Sequence, residues 1–228
     1  NKGNMVAVIT DGSAVLGLGN IGPRAGMPVM EGKAVLFKCF ANVDAFPICL
    51  ESQNVEDIIF AVKQISPTFG GINLEDISAP RCFEVEERLK KELDIPVFHD
   101  DQHGTAIIVY AGIINALRLI KKDINDVKVV VNGAGAAGIA ISKLLLSVGV
   151  KDLIVCNSKG ILRSDDDRLD TIRKEFAILT NKRNVKGGLK EAIENSDIFI
   201  GVSAANILSK EMIASMNSDA IVFAMANP

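Results

Sequence analysis

No two of the four cysteines (Cys39, Cys49, Cys82 and Cys156) stand at C-x-x-C or zinc-ribbon spacing, so the sequence offers no thiolate zinc site. Three of them fall in apolar strand-like segments, where a free thiol packs as a small hydrophobe. A reducing compartment suits that usage, and the cytoplasm is the expected location. No apolar run reaches the roughly 18 residues that a membrane span needs, and residues 1–10 lack the layout of a secretory signal. Basic residues do not cluster beyond Lys90-Lys91 and Lys121-Lys122. With a net charge of -3 and a pI near 5.5, neither nucleic acid nor a membrane surface is an expected partner. There is no G-x-S-x-G and no Ser-His-Asp hydrolase layout, no internal repeat and no low-complexity tract.

What is present is an α/β pattern. Hydrophobic residues make up 48% and charged residues 23% of the 228, enough to bury a sizeable core. Strands are expected at 5–10, 33–39, 45–50, 71–75 and 96–99, and helices at 54–65 and 81–93, the second from Phe83, Val85, Leu89 and Leu93 at helical spacing. The five glycines between 17 and 32 read as an irregular loop. A long apolar helix is expected over 104–120. Further strands are expected at 127–131, 153–155, 197–202 and 220–224, with a helix at 137–147 and a charged, helical stretch at 165–180. Strands separated by helical lengths pair in parallel. The fold class is therefore α/β: a parallel-sheet substrate and metal region over 1–103, then a Rossmann-type dinucleotide-binding domain over 104–228. Residue 5 already opens a strand and residue 228 directly follows one, so the sequence reads as an internal piece of a longer protein.

Gly133-Ala134-Gly135-Ala136-Ala137-Gly138 follows an apolar strand and opens a helix, the context that a dinucleotide loop requires. The first glycine permits the turn, the second lets backbone approach the pyrophosphate, and the third lets helix and strand pack. At the end of the next strand, where an acid would bind the ribose of NAD, stand Asn157, Ser158 and Lys159. Asn lacks the charge that repels a 2′-phosphate, so NADP is favoured, with NAD also admitted.

Glu75-Asp76 and Asp100-Asp101 each follow a strand. Ligands gather at the carboxyl ends of parallel strands, which puts both acidic pairs on one edge, where they repel unless a cation joins them. Adjacent acids reach one ion only if the strand ends and the backbone turns between them. Oxygen-only ligands from Glu75, Asp76 and Asp101 favour Mg²⁺ or Mn²⁺ over zinc. His99 and His103 stand at H-x-x-x-H spacing, but with one on a strand and the other at a helix start they do not share a face.

These phrases resemble the malic enzymes, in particular their short, bacterial-type branch: Val8-Ile-Thr-Asp-Gly-Ser-Ala-Val-Leu-Gly-Leu-Gly-Asn20, Gly26-Met-Pro-Val-Met-Glu-Gly-Lys33, Asn73-Leu-Glu-Asp-Ile77, Phe98-His-Asp-Asp-Gln-His-Gly-Thr105 and Ala226-Asn-Pro228. The resemblance spans essentially the whole chain. It implies oxidative decarboxylation of L-malate to pyruvate and CO₂, with a malolactic outcome as a variant, and a homodimer or larger assembly. It places the catalytic lysine at Lys33, its partner acid at Asp100 and the metal ligands at Glu75, Asp76 and Asp101. It places the cofactor loop at Ala134 to Ala137, with Thr105 beside the cofactor and Asn227 near nicotinamide and substrate. Lys33 is expected to have its pKa lowered by burial and the nearby metal. Two departures stand out. The family's tyrosine proton donor has no counterpart, since the only tyrosine is Tyr110, and Ala14 stands where the longer branch carries an arginine. A truncated module that holds nucleotide and metal without turnover is the rival expectation.

Overall fold

The chain folds into two compact units, Asn1–Asp101 and Gln102–Pro228. The structure, a computed structural model, describes residues 1–226 apart from Arg168 and Asp170, and the side chains of Thr171 and Ile172 are likewise outside it.

In the first unit, β1 (Met5–Thr10), β2 (Asp44–Cys49), β3 (Gly71–Leu74) and β4 (Val97–His99) form a parallel sheet in the order β2-β1-β3-β4. The central β1 buries Ala7, Val8 and Ile9 completely, as a strand covered on both faces must. Helix α2 (Val55–Ile65) starts at Asn54, whose side chain accepts from the backbone N–H groups of Glu56 and Asp57, and buries Ile58, Ile59 and Val62. That cap satisfies donors that the first turn leaves open. Helix α3 (Arg81–Glu92) buries Cys82, Val85, Glu86 and Leu89, the i, i+3, i+4, i+7 stripe of an amphipathic helix.

One expected strand and much of one expected loop are corrected. Residues 22–41 form a single helix, α1 (Gly22–Ala41), so 33–39 is helical and only the start of the 17–32 stretch is irregular. Gly22, Pro23, Gly26, Met27, Met30, Lys33, Ala34 and Phe37 are its buried or half-buried positions, a 3.6-residue repeat that short-range alternation of apolar residues conceals. Cys39 consequently sits exposed on a helix rather than in a strand, and Cys82 lies on α3.

The long apolar helix α4 (Asp100–Ile120) begins four residues before the expected start. Asp100 and Asp101 occupy its first turn, where acids favour the positive end of the helix dipole. It is one helix long and apolar enough, by length and composition, to cross a membrane, which the search for an unbroken apolar run missed. Its buried residues Ala106, Val109, Ile113 and Leu117 form a single stripe, the pattern of a helix with one face in a core.

In the second unit, β5 (Lys128–Asn132), β6 (Asp152–Asn157), β7 (Gly160–Ile161), β8 (Ile198–Gly201) and β9 (Ile221–Ala224) form a sheet in the order β7-β6-β5-β8-β9. All pairings are parallel except β6 with the short β7. Helix α5 (Ala136–Ser147) comes directly after β5. Only Thr171–Leu179 of the expected 165–180 helix is helical, as α6. Two short helices, α7 (Leu189–Ile193) and α8 (Lys210–Ala214), were not foreseen. Val130, Ile154, Cys156, Ala192, Ile193 and Phe199 pack into one buried cluster. The buried Asp197 accepts from the Lys128 backbone N–H at 2.9 Å and from Lys122 Nζ at 2.8 Å, which anchors the start of β5.

Candidate metal and dinucleotide sites

The acidic edge of the first unit is built from the residues that leave the ends of β3 and β4. Strand β3 stops at Leu74, and Asp76 then takes a φ of 55°. That left-handed turn is tolerated by Asp better than by most residues, and it supplies the backbone reversal needed for Glu75 and Asp76 to face one point. One carboxylate oxygen from each of Glu75, Asp76 and Asp101 lies within 4.8 Å of the other two. The Asp76 backbone N–H donates to Asp101 Oδ2 at 3.0 Å, and Asn73 Nδ2 donates to Glu75 Oε2 at 2.8 Å. Lys33 reaches in from α1: its Nζ is 3.0 Å from Glu75 Oε2 and 2.7 Å from Asp100 Oδ2.

Charge is poorly balanced here. Burial, with Asp101 and Glu75 as neighbours, pushes the Asp76 carboxyl up to about 7. Burial first, then Asp100 and Asp101, raises Glu75 to about 7 against the pull of Lys33 and Asn73. Burial also lifts Asp101 to about 6. Burial alone would lower Lys33, but its bonds to Asp100 and Glu75 outweigh it and the net shift is upward; the lowering expected from sequence included a bound cation. Both partners of the Lys33–Glu75 pair thus hold their protons to higher pH, the lysine staying charged and the carboxyl becoming neutral. One geometry explains both, since a single ammonium gains two carboxylates while it offsets only part of a four-acid cluster. Closely set carboxylates, two buried and one half-buried, are the donor set of a divalent oxygen-liganded cation, so Mg²⁺ or Mn²⁺ fits Glu75, Asp76 and Asp101.

The loop after β1 holds this edge in place. The fully buried Asp11 accepts from the Ser13 backbone N–H at 2.9 Å and pairs with Arg81 Nη2 at 3.0 Å. Ser13 Oγ accepts from the Ser78 N–H at 2.9 Å, and the Ala14 N–H donates to the Asp76 carbonyl at 2.9 Å. These bonds tie both sides of the Glu75–Ser78 turn to one neighbouring loop. Gly12, in the same loop, lies so close to α1 that an added Cβ would fall 2.2 Å from the Gly22 carbonyl oxygen. Sequence reasoning missed Asn73, Asp11, Ser13 and Arg81. Asn73 had a usable signal, since it shares a strand face with Glu75 at a spacing of two. Arg81 had none, seventy residues from Asp11. His99 is fully buried, with Nε2 3.8 Å from Asp101 Oδ2.

In the second unit a cavity of about 480 Å³ opens where β5, β6 and β8 end. Gly133, Ala134, Gly135, Asn157, Ser158 and Lys159 line it, as the fingerprint leads one to expect. The three glycines differ in what requires them. Gly133 has φ 134° and lies against the Val202 carbonyl; a Cβ on Gly138 would fall 1.7 Å from the Gly133 carbonyl oxygen. A Cβ on Gly135 would meet nothing within 4 Å, and its φ of -86° suits any residue. No protein contact demands glycine there, so the open space fits a ligand's approach. Gly135 caps α5 without a side-chain bond, which leaves the N–H groups of Ala136, Ala137 and Gly138 turned outward as donors for an anion. The residues present therefore fit a dinucleotide. Thr105, half-buried on α4, is not part of this lining, and Asn227 lies outside the described residues. Leu169, Arg173, Val202 and Ser203 complete the wall and were not foreseen. Arg173 Nε donates to the Ala134 carbonyl at 3.0 Å; about forty residues of sequence hid that contact. Tyr110 lies on α4 with Ile114 and Leu117 lining a different cavity.

Fold and geometry describe a class of two-unit α/β proteins with an acidic cation cradle on one parallel sheet and a glycine-loop nucleotide cradle on another. Residues 1–59 and 51–90 match the malic enzyme N-terminal domain, and residues 102–228 match the malic enzyme NAD-binding domain. The chain belongs to the malic enzyme family. It is 61% identical over 228 residues to a bifunctional malic/malolactic enzyme of Bacillus subtilis, covering 100% of this chain and 56% of that protein. It is 60% identical over 227 residues to an NAD-dependent malic enzyme of Geobacillus stearothermophilus, covering 100% of this chain and 48% of the relative. The crystal structure of an NAD-dependent malic enzyme from Thermotoga maritima matches with a TM-score of 0.97 and 55% identity over 100% of this chain and 61% of that one. The chain thus spans about half the length of the curated relatives it matches.

Proposed function

We propose that the protein to which this chain belongs oxidises and decarboxylates L-malate to pyruvate and CO₂, reducing NADP or NAD, with Mg²⁺ or Mn²⁺ held by Glu75, Asp76 and Asp101. The observation that carries the reading is the convergence of those three carboxylates within 4.8 Å beside a half-buried lysine. When bound, the cation supplies a positive centre that acidifies a 2-hydroxy acid and steadies the enolate left by decarboxylation, and the nicotinamide accepts the hydride from C2. The chain's own part is to place and move protons. Lys33 Nζ is the base for the substrate hydroxyl, and Asp100, 2.7 Å away, is the group to which Lys33 passes a proton to become neutral. Glu75 fixes the lysine from the other side and Asn73 fixes Glu75. In the second unit, Gly135 and the first turn of α5 bind the pyrophosphate.

The test is absorbance at the nicotinamide band with the full-length protein, malate, Mn²⁺ and each cofactor. Turnover should require all three additions, and Lys33→Ala should lower it about 10³-fold while nucleotide binding persists. Unchanged turnover in that variant removes Lys33 from the mechanism. A malolactic outcome, with the cofactor retained and lactate released, is the second reading. It is supported by the 61% identical Bacillus subtilis relative named for both activities, and product analysis separates the two. We also place the protein in the cytoplasm, whose reducing conditions suit four free cysteines. A homodimer or larger assembly is supported by the exposed apolar side chains Leu36 and Phe40 of α1 and Phe60 of α2.

A further inference from the structure

We propose that Glu86 of α3 is a positioning residue for the cation site: by holding the end of β4 it sets the direction in which Asp101 presents its carboxylate to the ion. That role rests on the cation reading of Glu75, Asp76 and Asp101 and extends it to what fixes the third ligand.

A glutamate on an amphipathic helix ordinarily faces water. Glu86 instead lies in the buried stripe of α3 with Cys82, Val85 and Leu89, and only 5% of it is exposed. Its Oε1 is 2.7 Å from Lys90 Nζ, one turn along the helix, and accepts from the His99 backbone N–H at 3.1 Å. The ion pair alone does not explain the placement, because a buried pair adds little stability over apolar packing. A buried acceptor aimed at one backbone N–H, in contrast, fixes a geometry.

The N–H that Glu86 accepts points off the sheet. Among the described residues β4 is an edge strand and pairs with β3 alone. Alternate residues of a strand bond to a given neighbour. Pro96 offers its carbonyl to the Ile72 N–H at 2.9 Å, so residues 96 and 98 face β3 and His99 directs its N–H outward. The Glu86 carboxylate stands where a further strand would. His99 is also the last residue before α4, whose first turn carries Asp100 and Asp101. Turning the His99 peptide would swing both acids. Asp101 would leave the Asp76 N–H that it accepts at 3.0 Å, and Asp100 would leave Lys33 Nζ at 2.7 Å. The His99 ring is fully buried with Nε2 3.8 Å from Asp101 Oδ2, so the backbone and side chain of one residue both bear on the third ligand.

The test is calorimetric titration of Mn²⁺ into the full-length protein, with thermal melts of the same preparations. Glu86→Met fills the space without a comparable acceptor and should weaken Mn²⁺ about tenfold, the loss that follows removal of a group supporting a metal ligand. Glu86→Gln keeps an oxygen in place for the His99 N–H while it removes the charge, and should restore most of the affinity. Equal weakening by both variants would assign the effect to the charge pair with Lys90 and overturn the proposal. A lower Tm with unchanged Mn²⁺ affinity in Glu86→Met would limit the residue to stability and overturn it too. Should Glu86→Met fail to fold, Glu86→Asp decides. It keeps the charge but falls one methylene short of His99, so it should weaken Mn²⁺ about severalfold, and unchanged affinity would overturn the proposal. Absence of Mn²⁺ binding by the unaltered protein would instead sink the cation reading itself.

Discussion

The two units build their candidate sites by the same architectural rule and reach opposite electrostatics. In each, the site gathers at the carboxyl ends of parallel strands beside the point where strand order reverses, between β1 and β3 in one sheet and between β5 and β8 in the other. The first edge gathers Glu75, Asp76, Asp100 and Asp101 around one lysine. The second gathers glycines, Lys159 and Arg173. Burial differs as well: Glu75 and Asp76 are 8% and 3% exposed, while Ser158 and Lys159 are solvent-exposed. Topology thus decides where a ligand sits, and the turn residues decide its charge. Burying like charges costs stability that open cationic walls do not, so a bound cation should stabilise the first edge more than an anion stabilises the second.

The largest break in that comparison should come from the acids. Asp101→Asn removes one hard donor and should weaken Mn²⁺ binding about 100-fold by titration calorimetry; equal affinity would move the cation elsewhere. Next comes pH. Glu75, Asp76 and Asp101 have folded pKa values of about 7, 7 and 6, against ordinary values of 4.5, 3.8 and 3.8. Between those limits the folded chain binds more protons than the unfolded one, so without metal its stability falls as pH rises from about 4 to about 7. Thermal melts should show Tm declining over that window and then flattening, and Mn²⁺ should raise Tm most above about pH 7. A Tm that climbs through the window would contradict the crowding of acids. The smallest effect belongs to the supporting loop: Ser13→Ala removes the acceptor for the Ser78 N–H and should lower Mn²⁺ affinity roughly tenfold. A loss of Tm with no change in affinity would limit Ser13 to stability.

Much of this was legible in the residues. The glycine spacing after an apolar strand located β5, its loop and α5, and the paired acids after two strands located the metal edge. Both signals are local, a turn and its flanking residues. The features that stayed hidden depend on contacts across the chain. The α1 helix reads in sequence as loop and strand because glycines crowd its first half and its apolar residues are partly exposed, which blurs the 3.6-residue repeat. The upward shift of Lys33 was hidden because the resemblance paired it with Asp100 alone, while its second carboxylate, Glu75, was expected only as a metal ligand. Arg81 and Arg173 were hidden because their partners, Asp11 and Ala134, are far away in sequence.

The close approach of Gly12 to Gly22 has a mechanical consequence. Gly22 is the first residue of α1 and Lys33 stands eleven residues along it, about 16 Å away at 1.5 Å per residue. A methyl group at position 12 would strike the backbone of Gly22 and Pro23, so the first turn of the helix that carries Lys33 would have to shift. The smallest kind of side chain in the first unit sets the aim of the one amine that its acids surround.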